Sequence, residues 1–214
     1  MTVSLPAPPL LLITDRQGAA LDMEQVVAAA FRAGCRWVMV RNKGLATEAL
    51  AGLAGRIVAA GRPFAARVVV NGDPAAAERA GAAGVHLQSA ANVAQVRGML
   101  GAGALIGVSV HAPTEARHAA RAGADYVTVS PVFATASKPG YGPDDDAGLA
   151  LLRTVADEIS MPAIALAGVT ADNAAACLAA GAAGVAVMGS VMRAADPGAV
   201  VRGLIAALAS ADHR

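Results

Sequence analysis

The chain has 214 residues, of which 56% are hydrophobic and 15% charged, and its formal net charge at pH 7 is +1. This length suits one large α/β domain with a substantial core, and the near-zero charge argues against nucleic acid or an acidic membrane surface as a partner. No long uncharged apolar run suggests a membrane span, and no secretory leader is recognisable, so we expect a cytoplasmic protein.

Short apolar runs alternate with Ala-rich segments of helical spacing along the chain. The runs predicted as strands lie at 10–14, 36–41, 66–70, 84–87, 104–108, 125–129, 163–166 and 184–187. The predicted helices lie near 22–33, 46–60, 74–80, 92–100, 113–122, 146–159, 171–180 and 197–209. Strands that are apolar on both faces, each followed by a helix, predict a single-domain (βα)₈ TIM barrel over residues 1–214.

An internal repeat of helix, Ala-Gly stop and strand supports this count. It occurs as AAAFRAGCRWVMV, AAAERAGAAGVHL, ARHAARAGADYVTV and AAACLAAGAAGVAVM. The glycines Gly34, Gly81, Gly123 and Gly181 are expected to end helices in the left-handed conformation. A doubly wound open sheet is the alternative, but the absence of a GxGxxG turn favours the barrel.

The two cysteines, Asp73 and the acidic run 144–146 are expected to have structural roles and no part in catalysis. Cys35 and Cys177 lie among small and apolar residues, which favours free buried thiols over a disulfide or a metal pair. Asp73 precedes Pro74 and is expected to cap a helix, as is the acidic run 144–146.

Active sites of TIM barrels lie on the loops that follow the strands. Polar residues and glycines gather at these positions, and the longest such loop is TVSPVFATASKPGYG after strand 6, with Thr135, Ser137 and Lys138. The other strand ends carry Thr14, Asp15, Arg41, Asn42, Lys43, Asn71, Gly72, His86, Gln88, Ser109, His111, Gly168, Met188, Gly189 and Ser190.

Glycine turns after strands 7 and 8 are the usual phosphate site of such barrels. Gly168, Gly189 and Ser190 are the candidate ligands here, with Lys138 on the neighbouring loop. The alternative is that these glycines only permit tight turns. The pattern favours a phosphorylated small molecule as the ligand.

His111, after strand 5, is the best candidate for a general acid/base, because histidine exchanges protons near neutral pH. Its alternative role is a loop or capping histidine. His86 lies within an apolar run and is expected to be a hydrogen-bonded barrel residue instead. Arg41 and Lys43 are two apart on an extended segment, which suits a polyanion or a carboxylate, or a solvated loop pair.

Together these residues resemble the thiamine phosphate synthase family, including its thiazole tautomerase (TenI-like) branch, from LLLITD to AVMGSVMRA. In the synthase a carboxythiazole phosphate captures a pyrimidine carbocation as diphosphate leaves hydroxymethylpyrimidine diphosphate, with Mg²⁺ bound. The resemblance implies that the thiazole side comprises Thr135, Ser137, Gly168, Met188 and Gly189. It implies that the diphosphate side comprises Arg41, Lys43, Asn71, Ser109 and Lys138.

The departures from the family pattern all fall on the metal and pyrimidine side. Met39 stands where the family has Gln, and Gly72 and Ala91 stand where it has metal-binding Asp residues. We therefore expect no metal ligand from the protein and no cofactor, with Mg²⁺ relevant only if synthase activity is retained.

The run Ser109-Val110-His111 matches the tautomerase branch, in which a histidine moves protons on the thiazole ring. The favoured expectation is a thiazole tautomerase-type isomerase with His111, Ser109 and Lys138 as the catalytic set. The alternatives are a thiamine phosphate synthase, which would also bind the pyrimidine diphosphate, and a non-catalytic protein that binds thiazole phosphate. Exposed Ala-rich helices would allow a homodimer.

Overall fold

The computed structural model describes residues 4–16, 21–135, 142–143 and 146–211. Eight parallel strands pair in chain order and close into a barrel, with β1 beside β8. The strands are β1 Leu10–Ile13, β2 Trp37–Val40, β3 Arg67–Asn71, β4 Gly84–Leu87, β5 Leu105–Val110, β6 Tyr126–Val129, β7 Ala163–Leu166 and β8 Gly184–Val187. This ring confirms the predicted TIM barrel and excludes the open sheet.

The described residues form nine α-helices around the ring. They are α1 Met23–Arg32, α2 Thr47–Gly61, α3 Pro74–Arg79, α4 Val93–Leu100, α5 Pro113–Ala122, α6 Ala147–Glu158, α7 Ala174–Ala179, α8 Gly189–Met192 and α9 Pro197–Ala211. Eight of them correspond to predicted helices. The one-turn helix α8 was not predicted, because four residues are too few to show helical periodicity.

Helix ends follow the predicted chemistry at Asp73 and at the repeat glycines, but not at Asp146. Asp73 Oδ1 accepts a hydrogen bond from Ala76 N at 2.9 Å and so caps α3. Helix α7 is shorter than predicted because Asn173 Oδ1 binds Thr170 N and its Nδ2 binds the Gly168 carbonyl, which holds the preceding segment as a turn. The four glycines of the repeat all have positive φ angles, as predicted. Asp146 precedes α6 without a capping hydrogen bond, and Asp144 and Asp145 lie outside the described residues.

Both faces of the strands are buried, which explains their uninterrupted apolar sequences. One apolar cluster fills the space between strands and helices, and a second fills the barrel interior. In the interior Trp37 packs edge-on against Tyr126, with ring centroids 4.7 Å apart. Among the described residues the buried polar side chains are few, namely Thr14, His86, Asp125, Thr128 and Ser130.

Cys35 and Cys177 are free and buried, as predicted. Burial raises the pKa of each thiol to about 11, so both remain protonated at neutral pH. Among the described residues no helix is long and apolar enough to span a membrane.

Candidate active site

A cavity of about 960 Å³ opens at the carboxyl ends of the strands. It brings together most of the predicted site residues, namely Arg41, Lys43, Asn71, Ser109, His111, Thr135, Gly168, Met188, Gly189 and Ser190. Ser137 and Lys138 lie outside the described residues. The cavity is large for a single small ligand, since ligand pockets span about 300–1,000 Å³.

His86 lies at the base of the cavity and is the hydrogen-bonded barrel residue that its apolar surroundings predicted. Its Nδ1 is 3.1 Å from Tyr126 Oη, and its Nε2 is 3.0 Å from Ser109 Oγ and 3.3 Å from Thr128 Oγ1. Burial lowers the pKa of His86 to about 3, so the ring is neutral at physiological pH. Ser109 thus binds His86, and not the neighbouring His111.

His111 is exposed and contacts the backbone of the β6 loop. Its Nδ1 is 2.7 Å from the Ser130 carbonyl oxygen, and its backbone N–H donates to Glu115 Oε2 at 2.7 Å. Because a carbonyl oxygen can only accept, Nδ1 carries the hydrogen. The lone pair of the neutral ring therefore resides on Nε2, which is the geometry required of a general base.

The β6 loop is clamped against the end of β7. Val132 N donates to the Leu166 carbonyl at 3.0 Å, and Phe133 N donates to the Ala167 carbonyl at 3.2 Å. Gly168 permits this approach, because a Cβ at that position would lie 2.6 Å from Phe133 Cβ and would overlap the Ala134 carbonyl. The clamp brings Thr135 to the cavity wall beside the glycine turn.

Ala167 precedes Gly168 and has a φ angle of 82°. A non-glycine residue in this region costs about 1–3 kcal/mol and is found most often at functional sites. Gly168 itself has a φ angle of 65°. Two successive left-handed residues turn the chain sharply from β7 towards α7, at the edge of the cavity.

Arg193 is a cavity residue that sequence reasoning missed. It follows α8, and its guanidinium lies over Gly189, where a Cβ would be 2.5 Å from Arg193 Cζ. The absence of a side chain at Gly189 therefore brings a cation to the glycine turn. The i, i+4 spacing of these two residues was the available signal, but it has meaning only once α8 is recognised as a helix.

Arg41 and Lys43 both line the cavity, as predicted. Thr14, which is fully buried, fixes the backbone of Arg41 by accepting from its N–H at 2.9 Å and donating to its carbonyl at 3.1 Å. The Arg41 guanidinium lies 3.6 Å from Asp15 Oδ1 and 3.9 Å from Met188 Sδ, so it extends from β2 towards β8.

Met39 forms part of the cavity wall and does not obstruct it. Its side chain is 2% exposed and packs in the barrel interior with Trp37 and Ile13. Lys43 and Asn71 line the same cavity. Met39, which stands where the family pattern has Gln, thus gives the cavity wall an apolar side chain in place of a polar one.

The positions that bind metal in the family do not fit a metal here. Gly72 has no side chain, and its N–H donates to the His86 carbonyl at 2.8 Å. Ala91 is an exposed residue of the 3₁₀ turn Ala90–Asn92. Within the described part of the chain, no group of three or more His, Cys, Asp or Glu residues could hold a metal ion.

A family model, two relatives and one solved structure similar to this chain carry thiamine phosphate synthase or pyrophosphorylase descriptions. A family model described as thiamine monophosphate synthase matches residues 10–191. A thiamine-phosphate synthase of Roseiflexus castenholzii is 36% identical, covering 90% of this chain and 85% of its own. One of Methanoculleus marisnigri is 38% identical, covering 94% and 96%. A solved thiamine phosphate pyrophosphorylase from Pyrococcus furiosus has a TM-score of 0.83 at 26% identity, covering 94% and 96%.

Proposed function

The chain belongs to the thiamine monophosphate synthase family, and we propose that it catalyses the synthase reaction, joining hydroxymethylpyrimidine diphosphate to a thiazole phosphate with release of diphosphate. The names of its relatives favour this activity over the tautomerase activity that the sequence favoured. Thiamine biosynthesis is the common setting of both reactions.

The observation that carries this proposal is a single cavity with anion-binding groups on two sides. In an eight-stranded ring β3 and β4 lie across from β7 and β8. Lys43, in the loop after β2, and Asn71, at the end of β3, line the cavity, as do Gly168, Gly189 and Arg193 after β7 and β8. A tautomerase would need only one of these sides, whereas two phosphorylated substrates need both.

On the thiazole side, we propose that the phosphate binds the backbone N–H groups of the Gly168 and Gly189 turns. Ser190 adds a hydroxyl, and Arg193 adds the cation that lies over Gly189. A guanidinium can donate two hydrogen bonds to a phosphate in a fixed geometry. Thr135, on the loop held against β7, lines the cavity near these groups. We propose that Thr135 and Ser137 contribute hydroxyl groups to the thiazole side.

On the pyrimidine side, departure of diphosphate builds negative charge that the site must stabilise. Since Gly72 and Ala91 offer no carboxylate for Mg²⁺, we propose that Lys43 and Lys138 supply the positive charge on this side. Arg41, whose guanidinium extends towards Met188, supplies charge between the two phosphate sites in this proposal. Asn71 and Ser109 supply hydrogen bonds at the same wall. Preorganised cations of this kind stabilise the leaving group without moving during the reaction.

The experiment is to supply both substrates to purified protein, with and without Mg²⁺, and to quantify thiamine phosphate by chromatography. Product formation is expected. Lys43→Gln should lower kcat/KM for the pyrimidine diphosphate by roughly tenfold or more, and Arg193→Gln should raise KM for the thiazole phosphate. Arg62→Gln, which removes one exposed positive charge near β3's start, is the matched control. Absence of product under every metal condition would refute the proposal.

Tautomerase activity is the second candidate, and the geometry of His111 favours it. With Nδ1–H bound to Ser130, Nε2 could remove a proton from one ring position and return it at another, which leaves the composition of the thiazole unchanged. His111→Gln should slow aromatisation of the non-aromatic tautomer by about 10²–10⁴-fold. An unchanged rate would exclude His111 from this role. Stoichiometric thiazole phosphate binding without turnover in either assay would indicate a non-catalytic protein.

A further inference from the structure

Beneath the cavity, three neighbouring strands bring together His86, Gly107 and Tyr126. Strand register pairs His86 with Gly107 and Gly107 with Tyr126. A Cβ at Gly107 would lie 2.5 Å from His86 Nδ1 and would overlap the Tyr126 ring. Glycine at the middle position therefore lets the side chains on either side meet, and Tyr126 Oη reaches His86 Nδ1 at 3.1 Å.

The hydrogens in this cluster can be assigned from burial and chemistry. His86 is neutral, since burial lowers its pKa to about 3, and thus carries one ring hydrogen. Tyr126 is fully buried, and among the described residues His86 is the one hydrogen-bond partner of its hydroxyl. Burial raises the pKa of Tyr126, so the phenol keeps its hydrogen. A phenol donates more strongly and accepts more weakly than an aliphatic hydroxyl, because its oxygen lone pair is delocalised into the ring.

Tyr126 therefore donates to Nδ1, and the ring hydrogen of His86 resides on Nε2. The nearer acceptor for Nε2–H is Ser109 Oγ at 3.0 Å, whereas Thr128 Oγ1 lies at 3.3 Å. Ser109 is partly exposed and lines the cavity. With its oxygen accepting from His86, the serine hydrogen is available to donate to a ligand.

We infer that Tyr126 is a positioning residue, which fixes the Nε2–H tautomer of His86 and thereby makes Ser109 a hydrogen-bond donor to the bound substrate. The acceptor class is an anionic oxygen, and its identification with the leaving diphosphate rests on the proposed function. Neither Tyr126 nor His86 needs to touch the substrate. The three side chains form one relay that runs from the barrel interior to the cavity.

The relay is tested by ¹⁵N NMR of the histidine rings, which distinguishes protonated from unprotonated ring nitrogens. The His86 signals are assigned by their loss in His86→Gln. The wild type should show Nε2 protonated and Nδ1 unprotonated. Thr128→Val, the matched control, removes the other hydroxyl near Nε2 and should leave this tautomer unchanged. Tyr126→Phe removes the hydroxyl that donates to Nδ1, so the spectra should show a mixture of the two tautomers instead of the Nε2–H form alone.

A double-mutant cycle provides the second readout, measured with whichever of the two proposed reactions the wild type catalyses. Ser109→Ala and Tyr126→Phe should each lower kcat by roughly three- to tenfold. Because both act through the serine hydrogen, the double variant should be no slower than Ser109→Ala. A merely structural role of Tyr126 would instead multiply the two effects.

Three results would overturn the inference: a wild-type His86 protonated on Nδ1, a Tyr126→Phe variant that keeps the wild-type tautomer alone, or effects of Ser109→Ala and Tyr126→Phe that multiply in the double variant. The spectra require neither substrate nor turnover, so they decide the inference even if no synthase activity is found. The wild-type spectrum tests which ring nitrogen of His86 carries the hydrogen, and the Tyr126→Phe spectrum tests whether Tyr126 fixes it. Conversely, a correct tautomer in an inactive protein would refute the proposed function alone.

Discussion

Gly168→Ala is the substitution that most directly probes how the β6 loop is held against the site. The new Cβ would lie 2.6 Å from Phe133 Cβ and would overlap the Ala134 carbonyl, so the loop must move. Overpacking of this kind costs about 1–3 kcal/mol. The φ angle of 65° adds a separate cost, since alanine disfavours this conformation by roughly 1–2 kcal/mol.

Gly81→Ala separates these two costs. Gly81 has a φ angle of 60°, and a Cβ there would meet no atom within 4 Å. Both variants therefore incur the backbone cost, and both gain the same reduction of unfolded-state entropy. The difference between their free energies of unfolding, about 1–3 kcal/mol, measures the close approach at Gly168. For a chain of this size that corresponds to a Tm difference of roughly 2–12 °C.

The assay combines thermal unfolding with titration of thiazole phosphate. Displacement of residues 133 and 134 carries Thr135 away from the glycine turn, so Gly168→Ala should weaken thiazole phosphate binding. Gly81 lies at the other end of the barrel, so its variant should bind normally. Equal Tm values and equal affinities for the two variants would refute the argument that Gly168 is required for loop contact.

Three further predictions concern buried titratable groups and the metal positions. The pKa of His86 is about 3 in the folded protein, against 6.5 ordinarily, so the unfolded chain takes up this proton at a higher pH than the folded protein does. The free energy of unfolding should therefore fall as the pH drops from 6.5 to 3. Urea titrations should show a less steep fall in His86→Gln. The raised pKa values of Cys35 and Cys177 keep both thiols protonated at pH 8, so a thiol reagent should react with them only after unfolding. Rapid reaction of these thiols in the folded protein would contradict their burial. The double variant Gly72→Asp, Ala91→Asp adds two carboxylates and should increase the stimulation of synthase turnover by Mg²⁺. Position 72 can accept the side chain, because a Cβ there meets no atom within 4 Å and Asp tolerates positive φ. An unchanged Mg²⁺ response would contradict this prediction.

The barrel could be predicted from the sequence because its signals are local. Each strand is a continuous apolar run, and the repeated glycine stops fix where the helices end. The rule that barrel sites lie at strand ends then selected the cavity residues without knowledge of their distances. His86 was interpreted correctly for the same reason, since a histidine within an apolar strand must be buried and hydrogen-bonded.

The parts that could not be predicted depend on register and on short elements. Ser109 binds His86, 23 residues away, and that pairing follows from strand register and from the missing side chain at Gly107. Arg193 reaches the glycine turn only because a single helical turn, α8, separates it from Gly189. The choice between the two reactions likewise could not be made from Met39, Gly72 and Ala91, because a departure from a family pattern does not show which activity is retained.

The central claim is that one cavity binds two anionic substrates at the same time. The most direct measurement is a calorimetric titration of thiazole phosphate into protein that is first saturated with inorganic diphosphate. One thiazole phosphate should bind per chain, with a Kd close to that of diphosphate-free protein. An apparent Kd that rises in proportion to the diphosphate concentration would show that the two anions compete for one site, and would rule out simultaneous binding.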